Sequence, residues 1–270
     1  MSFAALALPS AVGWTILAYA ASLVAGFGAG IVVNIAADLV VDDESPPRSS
    51  RRCRSCDGPL PSQRLVPLLG LRKSSRACPK CGKLASLRAP ALTIVLGLTF
   101  LLLLSHIAGV SGLLHLPVLC VFLIEAPAAA LLAFIFAVDL EHKLILDIAV
   151  YPAIVAILLI AAFFDHRAFA SMVTGVIVYG GLFLCFYGLG FLLYRAEALG
   201  LGDVKLAVLI GLLVGWPGIV QALVLGGLFG AAISLLLLGM GTASRRTYIP
   251  YGIFMATGAL LGLLLTTPYW

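Results

Sequence analysis

The sequence predicts an all-α polytopic membrane protein, and three observations carry that class. The chain is 62% hydrophobic and only 11% charged, where a soluble domain holds roughly 25% charged residues. Apolar runs recur along it, and about 20 such residues suffice for one helical crossing. The positive charge is gathered into one polar stretch, with 11 of 17 Lys and Arg lying between Arg48 and Arg88.

About eight transmembrane helices are expected, over 11–40, 90–108, 114–138, 147–164, 169–194, 204–216, 219–239 and 250–267. Seven is the competing count, because the sixth run is short and meets the seventh around Trp216-Pro217-Gly218. The chain then divides into a first transmembrane helix (1–40), a polar loop (41–89) and a transmembrane core (90–270). No Lys or Arg precedes Arg48, so the first run lacks the basic flank of a signal peptide and is expected to stay in the membrane. If eight helices alternate, Lys143, Arg195, Lys205, Arg245 and Arg246 share a side with the basic loop, and Arg167 lies opposite. The positive-inside rule then puts loop 41–89 in the cytoplasm and both termini outside, in a cytoplasmic (inner) membrane. Topology and anionic lipid headgroups explain the net charge of +5 better than nucleic acid does.

The polar loop opens on Asp42, Asp43, Glu44 and Pro46-Pro47, a composition shift that marks a boundary. It contains Cys53-Arg-Ser-Cys56 and Cys78-Pro-Lys-Cys81, separated by 21 residues. That spacing lets two thiolates of each pair reach one ion, and two pairs complete a tetrahedral shell. Thiolates suit zinc, and a reducing cytoplasm disfavours disulfides. Four sulfurs leave no open position, so Cys53, Cys56, Cys78 and Cys81 are read as a structural Zn²⁺ site in a loop too small to fold unaided. A redox pair or free thiols is the competing reading. The loop has no aromatic residue, so base stacking is missing and no nucleic-acid partner is expected. Cys120 and Cys185, in apolar runs, read as small core residues.

Carboxylates in or beside apolar helices are costly and become functional candidates. Here they are Asp38, Glu125, Asp139, Asp147 and Asp203. Asp139 follows Phe134-Ile-Phe-Ala-Val138 and ends the third run; Asp203, in Leu199-Gly-Leu-Gly-Asp-Val-Lys205, begins the sixth. Both fall at the cytoplasmic side, so they can face each other from different helices. Two close carboxylates do not both ionise readily, which leaves one to take a proton from water and the other to polarise a carbonyl. Gly200 and Gly202 would let a substrate backbone approach. Each aspartate alone is equally an ordinary solvated helix end. Asp147 competes with Asp139, but it precedes Ile148-Ala-Val-Tyr-Pro152 and suits an N-cap. Asp38 reads as solvated, and Glu125, mid-helix before Pro127, has no partner visible in the sequence. The glycines of Gly26-Phe-Gly-Ala-Gly30, Gly226-Gly-Leu-Phe-Gly230 and Gly258 to Gly262 read as helix-packing contacts.

Taken in order, these residues resemble the bacterial type IV prepilin peptidases, intramembrane aspartyl proteases of the GxGD type. Gly200-Leu-Gly-Asp-Val-Lys205 carries the GxGD motif, the most specific element. Asn34, Arg48 through Cys56, Cys78-Pro-Lys-Cys81-Gly82, Arg88-Ala-Pro90, Asp139 through Asp147 and Tyr248-Ile-Pro-Tyr-Gly252 resemble further family segments. The resemblance implies that Asp139 and Asp203 are the catalytic pair, in preference to Asp147. It implies cleavage of a positively charged leader, after a glycine, from prepilins or pseudopilins, whose apolar helix enters from the lipid bilayer. Many relatives then methylate the new N-terminus with S-adenosylmethionine, an activity linked to the cysteine loop. The chain departs from the family at Leu146, usually Pro, and at Pro90-Ala-Leu-Thr93, which lacks the usual Glu, so methylation and any methyl-donor site stay open. A non-enzymatic pilus or secretion assembly protein and a proton-coupled transporter are the other readings; interfacial aspartates argue against the latter.

Overall fold

A computed structural model describes residues 8–40, 53, 55–56, 58–61, 66–111, 116–162, 166–194, 200–241 and 250–266. Asp42 to Glu44, Pro46, Pro47, Arg48, Arg195, Leu199, Arg245, Arg246 and Tyr248 lie outside them. The helices are α1 (Leu8–Asp38), α2 (Pro67–Gly70), α3 (Lys73–Arg76), α4 (Arg88–Ser111), α5 (Leu116–His142), α6 (Asp147–Ala161), α7 (His166–Gly175), α8 (Gly181–Tyr194), α9 (Leu201–Val214), α10 (Gly218–Gly239) and α11 (Gly252–Leu265). One π-helical turn, Val176–Gly180, joins α7 to α8. Among the described residues the only strand-like pairing is an isolated bridge between Ala77 and Leu84.

The chain is all-helical because an apolar segment in lipid must satisfy its own backbone, and a helix does so within one segment. Among the described residues, five helices are long and apolar enough to cross a membrane: Gly13–Asp38, Arg88–Gly109, Val118–His142, Ala168–Leu193 and Gly218–Gly239. The chain is therefore a multi-pass membrane protein. At the other three expected places stand shorter helices, α6 with 15 residues and α9 and α11 with 14 each. Two compact units divide the chain, residues 1–134 and 135–270.

In the first unit, α1 lies against α4 with backbones touching. A Cβ on Gly26 would stand 2.7 Å from Gly97 Cα, and one on Gly30 would stand 2.6 Å from Thr93 Cα. The expected packing role of these glycines holds. One turn beyond Gly30, the fully buried Asn34 brings Nδ2 to the Gly30 carbonyl (2.8 Å), the Ala89 carbonyl (3.1 Å) and Thr93 Oγ1 (3.2 Å). One turn further, Asp38 pairs with Arg88 at 2.8 Å, their side chains only 6% and 8% exposed. Asp38 is thus not the solvated residue expected. Positions 26, 30, 34 and 38 recur every four residues and so face α4 together, which carries Asp38 out of water. Glu125 is buried, and its Oε2 has no hydrogen-bond partner among the described residues. Cys120 and Cys185 are exposed on their helices rather than core residues. In a membrane helix the outward face meets lipid, so apolar and small residues need no interior.

The second unit is built around α9, whose Leu206, Ala207, Leu209 and Ile210 are fully buried. It packs against α6, α7, the π-turn, α8, α10 and α11. Close approach is again glycine-based: a Cβ on Gly211 would stand 2.7 Å from Val176 Cα, and one on Gly226 would stand 2.8 Å from the Phe254 carbonyl oxygen. The uncertain boundary at 216–218 is a break between helices. α9 stops at Gly215, whose φ of 59° a residue with a side chain resists. Trp216 N–H then reaches Ser171 Oγ at 2.9 Å, the Ser171 hydroxyl donates to the Trp216 carbonyl at 2.8 Å, and α10 begins at Gly218.

Candidate active site

Three helix ends of the second unit build the site. Asp139 lies in the last turn of α5, which stops where Lys143 turns left-handed (φ 55°) and donates its N–H to the Asp139 carbonyl at 3.0 Å. Asp203 is the third residue of α9, its N–H bonded to the Gly200 carbonyl at 3.1 Å. The first turn of α11 supplies a donor: Ile253 N–H bonds to Asp139 Oδ2 at 2.9 Å. The first amides of a helix have no partner within it and favour negative charge, so a carboxylate satisfies them.

Asp139 and Asp203 are 4% and 9% exposed. Tyr179 lies on the π-turn and Tyr251 at the N-terminal cap of α11. Together with Phe183 and Phe254 they form an aromatic wall, with ring centroids 5.0 Å apart for Tyr179–Phe183, 5.6 Å for Phe183–Tyr251 and 6.2 Å for Tyr251–Phe254.

The glycines do different work from one another. Gly200 has an ordinary extended backbone (φ −72°, ψ 142°), so a side chain would not strain it. Its Cβ would meet Asp203 Oδ2 at 3.7 Å and Gly202 N at 3.9 Å, and glycine there leaves the carboxylate uncovered. Gly202 faces Ile145, whose Cβ would lie 3.2 Å from a Cβ added there. Gly252, which sequence reasoning assigned no role, is the tightest: a Cβ would stand 2.7 Å from Asp139 Oδ2. A glycine at the start of a helix in a motif that also resembled a family segment was the available signal for it.

Asp147 is not part of the carboxylate pair. It is the first residue of α6, Leu146 occupies the cap position, and no side-chain cap bond forms. Its carboxylate instead pairs with Lys205, Nζ lying 2.8 Å and 2.9 Å from the two oxygens. A cation within reach outcompetes the backbone amides that an N-cap serves, and this replaces the expected capping role.

In the first unit, Cys53, Cys56, Cys78 and Cys81 converge, all four sulfurs lying within 4.8 Å of one another. Each pair sits in a tight turn. Cys53 N–H bonds to the Gly58 carbonyl at 2.8 Å, and Cys78 N–H to the Lys83 carbonyl at 2.9 Å. The cluster can hold a metal ion.

Residues 126–235 match the model of the Type IV leader peptidase family, and this stretch contains Asp139, Gly200, Gly202 and Asp203. The matched stretch stops short of Gly252 and Ile253, although both lie against Asp139. Relatives extend the likeness. The chain is 28% identical over 225 residues to a prepilin leader peptidase/N-methyltransferase of Myxococcus xanthus (strain DK1622), covering 83% of this chain and 64% of that protein. It is 26% identical over 217 residues to a protein of the same name from Stutzerimonas stutzeri, covering 79% of this chain and 71% of that one. A third of that name, from Burkholderia pseudomallei (strain K96243), is 32% identical over 143 residues, covering 53% of this chain and 46% of its own length. The chain thus spans somewhat under two thirds of the length of the Myxococcus relative. No solved structure matches.

Proposed function

We propose that this protein is an intramembrane aspartyl endopeptidase that removes the leader peptide from type IV prepilins or pseudopilins at the cytoplasmic face of the inner membrane. One observation carries the reading: two buried carboxylates, Asp139 and Asp203, lie inside the stretch that matches the Type IV leader peptidase family, and Ile145 faces both Gly202, beside Asp203, and Gly252, which lies against Asp139. In the mechanism, one carboxylate keeps a proton and the other is charged. The charged one takes a proton from water as the water attacks the peptide carbonyl. The protonated one donates to the carbonyl oxygen, and the proton then passes to the leaving amine. The Ile253 N–H holds one oxygen of Asp139, so its other oxygen is free to meet the water. The side of Asp203 that glycine at position 200 leaves uncovered receives the extended backbone of the substrate.

All eight apolar helical segments are proposed as crossings, with the basic loop 41–89 cytoplasmic, as the positive-inside rule requires. In domain terms, 1–40 is the first crossing, 41–89 the cysteine loop and 90–270 the peptidase core. N-methylation of the new N-terminus is supported by the name the relatives carry, and S-adenosylmethionine would be its methyl donor. The substrates in this reading are the proteins from which the relatives take their name.

The metal proposed for the cysteine cluster is zinc. Tetrahedral Zn–S bonds of about 2.3 Å put neighbouring sulfurs ~3.8 Å apart. Cys53–Cys81 at 3.5 Å and Cys56–Cys78 at 3.4 Å lie near that value. Zinc would supply a structural cross-link and no chemistry. Elemental analysis of the undenatured protein should find about one zinc per chain. Cys53→Ser should lose it and expose the loop to trypsin while leader cleavage persists.

The deciding experiment incubates the purified protein with a prepilin and S-adenosylmethionine and reads the product N-terminus by mass spectrometry. Cleavage after the leader supports the reading, and an added 14 Da (one CH₂, roughly, as a methyl replaces a proton) reports methylation. An intact prepilin in an active-folded preparation rejects the peptidase in favour of a non-enzymatic assembly role.

A further inference from the structure

The peptidase reading leaves one ion pair beside the aspartates without a role. Lys205 stands two residues after Asp203 and reaches both oxygens of Asp147, at 2.8 Å and 2.9 Å. Its Nζ also lies 5.2 Å from the centroid of the Tyr151 ring. Both partners belong to α6, so one cation of α9 is held twice by the same helix end. The side chains are 30% and 57% exposed, and exposed ion pairs add little to global stability. Stability is therefore a poor reason for this arrangement.

Its place in the chain offers a better one. Four residues, 143–146, connect the end of α5 to Asp147. Asp139 lies just before this connection. Ile145, in its middle, faces both glycines of the site: its Cβ would lie 3.2 Å from a Cβ on Gly202, and its Cδ1 3.5 Å from one on Gly252. Asp147, at its far end, grips Lys205. One short connection thus follows Asp139, wedges against the residue preceding Asp203, and is tied to the residue two beyond Asp203. The left-handed Lys143 at its start and the wedged Ile145 leave it little freedom to swing.

We propose that Asp147 and Lys205 form a positioning clasp that fixes the first turn of α9 against the 143–147 connection and thereby sets the separation of the Asp139 and Asp203 carboxylates. The inference rests on the peptidase reading of that pair. Neither residue touches the scissile bond, so both are positioning residues. The charge-assisted contact to two oxygens gives the tie a definite length and direction, and the Tyr151 ring confines the ammonium from the side. Reacting groups displaced by about 1 Å can lose roughly 10²-fold in rate, so a tie of small stabilising effect can carry a large kinetic one.

The test uses the full chain in lipid nanodiscs with a prepilin substrate. It compares wild type, Lys205→Met, Asp147→Asn and the charge-exchanged double variant Asp147→Lys with Lys205→Asp. Each single change should lower kcat about 10- to 100-fold while KM and melting temperature stay nearly unchanged, and the exchanged pair should recover most of the loss. Amide hydrogen exchange over 201–205 should quicken in the single variants and slow again in the double. Unchanged kcat and exchange in the single variants overturn the clasp. A raised KM at constant kcat overturns it too, by making Lys205 or Asp147 a substrate contact, and so does a double variant no better than the singles. If wild type cleaves nothing while exchange follows the clasp pattern, the tie stands and the peptidase reading falls.

Discussion

Asp139→Asn and Asp203→Asn should each lower leader cleavage by at least ~10³-fold, the scale expected when a general acid or base is removed. The loss belongs to chemistry rather than to folding. An asparagine carbonyl at position 139 can still accept from Ile253 N–H, now 2.9 Å from Asp139 Oδ2, and the amide has nearly the carboxylate's shape. What disappears is the group that can be charged in one step and protonated in the next. The two aspartates share one proton cycle, so the double variant should be no slower than either single one. Initial rates from product mass spectrometry, with gel filtration to confirm a native particle, measure this. Full cleavage by either single variant would falsify the two-aspartate mechanism. Asp147→Asn, which leaves the pair intact, should fall well short of this loss.

Gly252→Ala is expected to have the next largest effect, about 10²-fold in kcat, from displacement of a reacting group. The added methyl would stand 2.7 Å from Asp139 Oδ2, 3.0 Å from its Cγ and 3.5 Å from Ile145 Cδ1. At 2.7 Å something must shift, so either the carboxylate turns away or the start of α11 backs off. Both outcomes misplace the Ile253 N–H bond. Gly202→Ala is the internal comparison. Its nearest neighbour is Ile145 Cβ at 3.2 Å, a contact that a shift of a few tenths of an ångström relieves and that involves neither carboxylate, so its kcat should fall less. Parallel kcat and melting curves for the two variants decide the point: equal, small effects would show that Asp139 has more freedom than its surroundings indicate.

Much of this was legible in the chain itself, for identifiable reasons. The apolar runs marked the helices because lipid allows little else, and four cysteines in two close pairs converge as their spacing requires. Asp139 and Asp203 could be proposed as partners from their common membrane depth. Other features were hidden because they depend on which faces meet. Asp38 looked solvated at a helix end, yet its four-residue register with Asn34 and Gly30 turns it onto Arg88. Asp147 looked like a cap, but a lysine 58 positions away in sequence claims its carboxylate. Gly252 and Ile253 reach Asp139 across 114 positions, a separation at which no local pattern speaks. Helix length was hidden too, since an apolar run shows where a crossing can lie and not where the backbone stops being helical.

Those lengths reach beyond the protein. α6, α9 and α11 have 15, 14 and 14 residues, so at 1.5 Å per residue they rise only about 21–22 Å, against a hydrocarbon layer of about 30 Å. Each begins beside the site: Asp147 opens α6, Asp203 lies in the first turn of α9, and Ile253 in that of α11. As crossings, they oblige the surrounding lipid to thin or the water boundary to dip toward them. A substrate helix of full length arriving from undisturbed bilayer then has a turn or more that the thinned lipid no longer covers. Its peptide groups can exchange helical hydrogen bonds for water there, next to the carboxylates. Lipid chain length thereby becomes a condition of the reaction, with long acyl chains opposing the thinning on which hydrolysis inside a membrane depends.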